Sequence, residues 1–207
     1  MKGRSIAYNL LVLRGLVEII TITEKETSNS PFFVRISHVQ PANITADLKT
    51  DIENVTLKGL ESLNITDGVS HSEVIIVNGE VKIIEIGGRM GGDYIGSHLT
   101  KLSTGINLVD VAIDISLGTF EWESAVVKEH QPAGITFLMS EKDGVLCSSE
   151  KKEIIGNKII KKILTAEIGD RVVVPTSSCK RFRYILYTGN KVTKLDAMKH
   201  FGLKVIS

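Results

Sequence analysis

Aromatic residues make up only 5% of this 207-residue chain, too few for the stacked platforms on which single-strand binders hold bases. Net charge is nearly absent as well. Lys and Arg number 25 against 24 Asp and Glu, a formal +1, which removes the electrostatic footprint of a broad nucleic-acid or anionic-membrane surface. No apolar run approaches the roughly 20 residues that cross a bilayer. The opening MKGRSIAYNLLVLRG carries early cations and a short apolar stretch, yet Arg14 and Glu18 interrupt where a leader needs a small-residue cleavage site. The two cysteines, Cys147 and Cys179, stand far apart without a metal-type partner and read as ordinary thiols of a reducing compartment. The expectation is a soluble cytoplasmic protein with no nucleic acid and no membrane among its partners. With 43% hydrophobic and 24% charged residues, the chain can build one sizeable core, or one core and a small appended lobe.

Strand signals dominate the first forty residues. SIAYNLLVL and LVEIITITEK flank Arg14-Gly15, a hairpin corner, and FFVRISHV reads as a third strand that ends before Pro41. The period then changes. Ile44, Leu48, Ile52, Val55 and Leu63 recur at three- and four-residue steps, a helical stripe that Asn43 or Thr45 can cap. Helices are also expected over residues 94–102 and over INLVDVAIDISLG, with Gly118 as the stop. Beyond EWES come short strand-like runs, AVVKEH, AGITFLMS and GVLCSS. KEIIGNKIIKKIL reads as helical or mixed, DRVVVP and RFRYILYTGN as strands, and the end as a helix from Lys194 with a last short strand. The pattern is α+β.

Chemistry concentrates in residues 71–93, HSEVIIVNGEVKIIEIGGRMGGD. Two strands join through Asn78-Gly79, with Glu73 on one and Glu85 on the other. A strict two-residue turn pairs Val77 with Glu80 and sends the carboxylates to opposite faces. A three-residue loop with a bulge pairs Ile76 with Glu80, which makes Glu85 a diagonal neighbour of Glu73 at roughly 7–8 Å. Only the second geometry lets both carboxylates meet one hard cation such as Mg²⁺. The plain alternative is a solvated hairpin face. Against it, Glu85 sits among aliphatics in VKIIEI, where a buried charge needs a partner or a metal. The loop GGRMGGD adds glycines that let backbone approach an anion, and Arg89, a planar permanent cation suited to phosphate or carboxylate.

From the hairpin and glycine loop onward, HSEVIIVNGEVKIIEIGGRMGGDYIGSHLTKLSTGINLVDVAIDISLG resembles the C-terminal half of the ATP-grasp ligases. The likeness is to the branch that joins amino acids or other carboxylates to amines. Biotin carboxylase and the carbamoyl-phosphate synthase large chain are more distant relatives. ITEK, SHVQPANIT and STGINLV fit the same branch. The resemblance implies that Glu73 and Glu85 hold Mg²⁺ or Mn²⁺ between the ATP phosphates. It further implies that Arg89 is the catalytic group contacting phosphate or acyl phosphate. His38, His71, Gly91, Gly92 and Asp93 are candidates for the substrate side, with Asp93 also able to fix the glycine loop. Ser103, Thr104 and Asn107 read instead as helix caps.

Three positions depart from the family pattern: Gly87 replaces an asparagine, and Ser5 and Asn9 stand where carboxylates are common. The expected architecture is an ATP-grasp C-terminal lobe over 1–124, mainly antiparallel sheet with flanking helices, then a small strand-rich lobe over 125–207. The family's N-terminal domain and ATP-clamping lobe precede the matching region. The implied function is therefore half of an ATP-dependent carboxylate–amine ligase, inactive alone. Its implied partners are small carboxylate and amine substrates, a separate N-terminal half and a second copy of the chain. The alternative is a non-catalytic module that keeps the fold.

Overall fold

The computed structural model describes residues 4–127 and 130–207. It separates into two compact units, Met1–Lys25 with Val39–Pro132 and Glu26–His38 with Ala133–Ser207. The architecture is α+β, mainly antiparallel sheet, with four α-helices among the described residues.

The first unit is built on β1 (Arg4–Leu13), which turns through Arg14 and Gly15, both left-handed, into β2 (Leu16–Thr27). After β3 (Arg35–Gln40) and α1 (Ala46–Ser62) come β4 (Gly68–Val77) and β5 (Glu80–Gly87), and the strand order within the unit is β5-β4-β1-β2. β1 is covered on both faces, which explains its nearly unbroken apolar run. Ile6, Tyr8, Leu10 and Val12 face one core with Ile52 and Leu60 of α1 and Val74 of β4. Burial pushes the Tyr8 phenol pKa far above its usual range, so it stays neutral. On the other face Leu11 joins Ile20, Val69, Leu108 and Val111 in a second core. Thr45 caps α1 by accepting the Leu48 N–H. Asn107 caps α3 (Leu108–Leu117) in the same way, as expected, and left-handed Gly118 ends it.

Several elements differ from expectation. The third strand starts at Arg35 rather than Phe32, because Phe33 is left-handed and the Ser28 N–H bonds back to the Val34 carbonyl. The helix expected over 94–102 is split, with a π-helix at Ile95–Leu99 running into α2 (Thr100–Thr104). AVVKEH forms no strand among its described residues. Its start belongs to a 3-10 turn, Trp122–Ala125, pinned by burial of Ala125, and residues 128–129 lie outside those described.

In the second unit β6 (Ala133–Leu138) precedes β7 (Gly144–Ser148), β8 (Lys158–Leu164), β9 (Arg171–Val172) and β10 (Arg183–Thr188). The chain closes with α4 (Lys194–Phe201) and β11 (Leu203–Ile206). β10 lies between β6 and β8, and β7 lies between β11 and β9. KIIKKIL is thus a strand and not a helix. Left-handed Gly156 turns the chain just before it, and as an outer strand paired only to β10 among these it keeps its lysines in water. Thr193 and Asp196 form a capping box on α4.

The core of this unit centres on Tyr187, whose hydroxyl accepts the Val192 N–H at 3.0 Å. Its ring lies on Gly134, where an added Cβ would come within 2.3 Å of the hydroxyl oxygen and 2.5 Å of the ring. Tyr187 is fully buried and has no room to retreat. Gly134→Ala is expected to destabilise the protein by about 1–3 kcal/mol, read as a lowered urea midpoint at unchanged slope. Gly88→Ala, facing open space, serves as the neutral comparison.

Candidate active site

The two glutamates reach one face by a route that differs from either hairpin considered above. Asn78 and Gly79 are both left-handed, at φ 54° and 84°, and Val77 pairs with Glu80, so the turn has two residues and not three. This is the turn type whose twist matches the flanking strands. The extra residue sits within β5 instead. Val74 pairs with Ile83 and Glu73 with Glu85, leaving Ile84 as a bulge. Directly paired residues share a face. Glu73 and Glu85 therefore stand opposite one another, on the side of the sheet away from α1.

The same face carries Ser5, Ala7 and Asn9 of β1 and Thr21, Thr23 and Lys25 of β2, by their pairings. Lys25 and Glu73 lie on strands that flank β1, and small Ser5 and Ala7 leave the space through which they join in an ion pair. Their side chains are 4% and 14% exposed. His71 is buried beside them, with Nε2 3.5 Å from the same Glu73 oxygen and Nδ1 3.0 Å from the Asn9 carbonyl oxygen. The Asn9 amide donates to Thr100 Oγ1 at 2.8 Å, Thr100 donates to the Ile95 carbonyl at 2.9 Å, and Gln40 donates to Thr23 Oγ1 at 2.7 Å.

Glu85 differs from expectation. Its aliphatic neighbours do not bury it, because β5 is the outer strand of this unit's order and Ile84 is itself exposed. The partner it was expected to need is Arg89, at 2.8 Å, with both side chains about half exposed. Such an exposed pair contributes on the order of 0–1 kcal/mol, so a ligand phosphate can take the guanidinium over at little cost.

Two loop glycines have steric reasons. A Cβ on Gly87 would come within 3.3 Å of Arg89 Cγ and 3.6 Å of Glu85 Oε1, so its bareness lets Arg89 fold back over the strand end. A Cβ on Gly91 would come within 2.6 Å of His71 Nδ1, so the loop rests directly on the imidazole. Gly92 faces open space, and Asp93, left-handed like Tyr94, leads into the π-helix. His38 belongs to the second unit, buried with its ring edge-on to Phe137 at 5.7 Å between centroids. Lys25, Asn9 and Thr100 were not anticipated as site residues. The signal for Lys25 was the alternation Thr21, Thr23, Lys25, a polar face on an otherwise apolar strand.

The donors suit a hard cation. Glu73 and Glu85 supply carboxylate oxygens from paired positions, and no cluster of three His, Cys, Asp or Glu able to hold a metal occurs among the described residues. Two carboxylates suffice where Mg²⁺ takes its other ligands from water and substrate phosphates.

Residues 1–97 match the model of the ATP-grasp domain family. No curated protein sequence matches the chain. Among solved structures, the whole chain is similar to an L-amino acid ligase from Bacillus licheniformis, at 20% identity and a TM-score of 0.78, over 52% of that protein. It is also similar to a phosphoribosylglycinamide synthetase from Anaerococcus prevotii, at 18% identity and 0.76, over 54% of that protein. A third likeness covers 99% of this chain and 46% of the Hydrogenobacter thermophilus 2-oxoglutarate carboxylase biotin carboxylase domain, at 13% identity and 0.59. That domain was solved as a dimer with magnesium ADP and bicarbonate. At these identities the likeness is one of fold. The chain spans about half the length of these relatives.

The buried ion pair makes a direct prediction. Lys25→Met strands the Glu73 carboxylate and is expected to destabilise this unit by about 3–5 kcal/mol. Lys25→Met combined with Glu73→Gln recovers most of that loss, because no uncompensated charge then remains. Urea unfolding of the three variants provides the double-mutant cycle.

Proposed function

We propose that this chain is the metal- and phosphate-binding half of an ATP-dependent carboxylate–amine ligase that works through an acyl phosphate. The observation that carries the reading is the Glu73–Glu85 register pair with Arg89 folded back beside it. Glu73 and Glu85 hold Mg²⁺ or Mn²⁺, which when bound neutralises charge on the transferring phosphoryl group. Arg89 exchanges Glu85 for the phosphoryl or acyl-phosphate oxygens, an exchange that its exposure and weak pairing favour. Lys25 pairs with Glu73 and aims it across β1, so the acidic pair is placed before the cation arrives. The glycine loop, with Gly91, Gly92 and Asp93, borders the space where the carboxylate and amine substrates bind.

The 1–124 lobe carries this chemistry. The adenine and remaining phosphate contacts belong to the other half of such a ligase, since this chain spans about half the length of the solved relatives. A second copy of the chain is a further partner, as in the dimeric biotin carboxylase domain. No described helix is long and apolar enough to cross a membrane.

A second reading is a non-catalytic module that keeps the fold. Its supporting observation is that both carboxylates already have internal cation partners, Lys25 and Arg89, while Gly87 offers no side chain.

Mn²⁺ titration separates the two. The ligase reading expects Mn²⁺ binding by the chain, weakened at least tenfold in Glu73→Gln and in Glu85→Gln, by analogy with the 10–100-fold losses seen when metal shells are disturbed. It also expects no ATP-dependent ligation by the chain alone. Absence of Mn²⁺ binding favours the module, and ATP-dependent turnover by the isolated chain would overturn the half-site proposal.

A further inference from the structure

The near-neutral total charge conceals an imbalance. Residues 133–207, all in the second unit, carry 14 Lys and Arg against 7 Asp and Glu, whereas the whole chain has 25 against 24. Such an excess repels itself and favours an anion that offsets it. Part of it gathers at one place. Arg171 of β9, Lys180 of the 3-10 turn Ser178–Lys180 and Arg181 just beyond it line a cavity of about 360 Å³. One carboxylate, Asp170, shares the wall, and its Oδ2 already accepts the Glu167 N–H at 2.8 Å. Arg171 and Lys180 make no ion pair or side-chain hydrogen bond among the described residues, so no acid of this unit answers their charges. Arg181 is half-buried and braced. Its Nε donates to the Ser178 carbonyl at 2.8 Å, and its guanidinium carbon lies 3.8 Å from the centre of the Phe137 ring, which fixes the plane of the fork. Buried Ala166, Val172 and Phe182 also line the cavity, and apolar walls of this kind strengthen charged hydrogen bonds made beside them.

We propose that this cavity binds the phosphate group of a small phosphorylated molecule. The inference uses residues of the second unit only and is independent of how Glu73 and Glu85 are read. Three cations against one carboxylate, itself engaged by a backbone N–H, match a doubly charged anion. A phosphate monoester places nearly two charges and three acceptor oxygens on one centre, enough for the Arg181 fork, a second guanidinium and an ammonium together. A carboxylate offers one charge and two oxygens, which leaves part of the cationic set unanswered. Scattered surface lysines would be a solvated face, but here two arginines share one hollow and one of them is held in a single plane. The volume lies toward the small end of ligand pockets, which suits a small molecule rather than a polymer.

Cys179 supplies a local reporter, because it is exposed on the wall of the same cavity, whereas Cys147 lies on β7 outside it. The full chain, free of metal and ATP, is alkylated with neutral iodoacetamide while inorganic phosphate replaces chloride at constant ionic strength. Peptide mass spectrometry follows each cysteine. Alkylation is expected to slow at Cys179 and not at Cys147. No slowing at Cys179, or equal slowing at both, overturns the proposal. Arg171→Gln changes an exposed side chain without internal partners, so the fold is expected to survive it. It should raise the phosphate concentration that halves the Cys179 rate about tenfold, the size of one lost charged hydrogen bond. Arg181→Lys keeps the charge but removes the planar fork, and a similar loss is expected. Protection unchanged in Arg171→Gln overturns this cavity as the site. Protection by citrate but not by phosphate overturns the phosphate assignment. Failure of Mn²⁺ binding at Glu73 and Glu85 leaves this result standing.

Discussion

Lys25 and Glu73 sit on strands either side of β1 and close an ion pair over it. Two charges so nearly buried tolerate little freedom around them, because each alone would cost several kcal/mol in that environment. The pair therefore constrains its surroundings. Ser5 and Ala7 must be small where the two side chains pass, β1 must be the central strand of its unit, and the polar face must be covered. That cover comes from the glycine loop and the segment that includes Thr100, which bring Gly91 onto His71 and Thr100 onto Asn9. The opposite face of β1 follows the usual rule, with Ile6, Tyr8, Leu10 and Val12 packed in the core that includes α1.

The bulge at Ile84 is the second constraint. A two-residue turn of left-handed Asn78 and Gly79 would, on its own, carry Glu85 to the α1 side of the sheet. One extra residue within β5 restores it to the side of Glu73. Bulges commonly re-aim a side chain next to a functional site, and this one sits between the two carboxylates. Gly87 completes the arrangement by giving Arg89 room to reach back to Glu85. Its missing side chain, a departure from the family pattern, thus has a steric use.

Much of the fold was legible because local signals were strong. The Arg14-Gly15 corner, the caps Thr45 and Asn107, the stop at Gly118 and the terminal helix from Lys194 all follow from single residues with clear conformational preferences. KIIKKIL was ambiguous, because its isoleucines fit a helical step as well as a strand. Only pairing with β10 decided it. The exposure of Glu85 was misjudged for a related reason: aliphatic neighbours signal burial only when the strand is interior, and strand order is not a local property. A lone lysine in a strand is ordinarily a solvated tip, so the burial of Lys25 becomes legible only once β2 is set beside β1.

The sequence by itself determined the α+β class, the hairpin, the Glu73, Glu85 and Arg89 set, and the resemblance to ATP-grasp ligases, since these rest on residue types and short spacings. Tertiary structure alone decided that the carboxylates share a face, that Lys25 reaches Glu73, and that Asn9, His71 and Thr100 form one hydrogen-bonded chain. Asn9, His71 and Thr100 lie 62 and 29 residues apart in order. They meet because antiparallel pairing sets β1 against β4 and because Gly91 and Gly96 let the loop close down on both. Register and close backbone approach are properties of two segments together, and neither segment carries them alone.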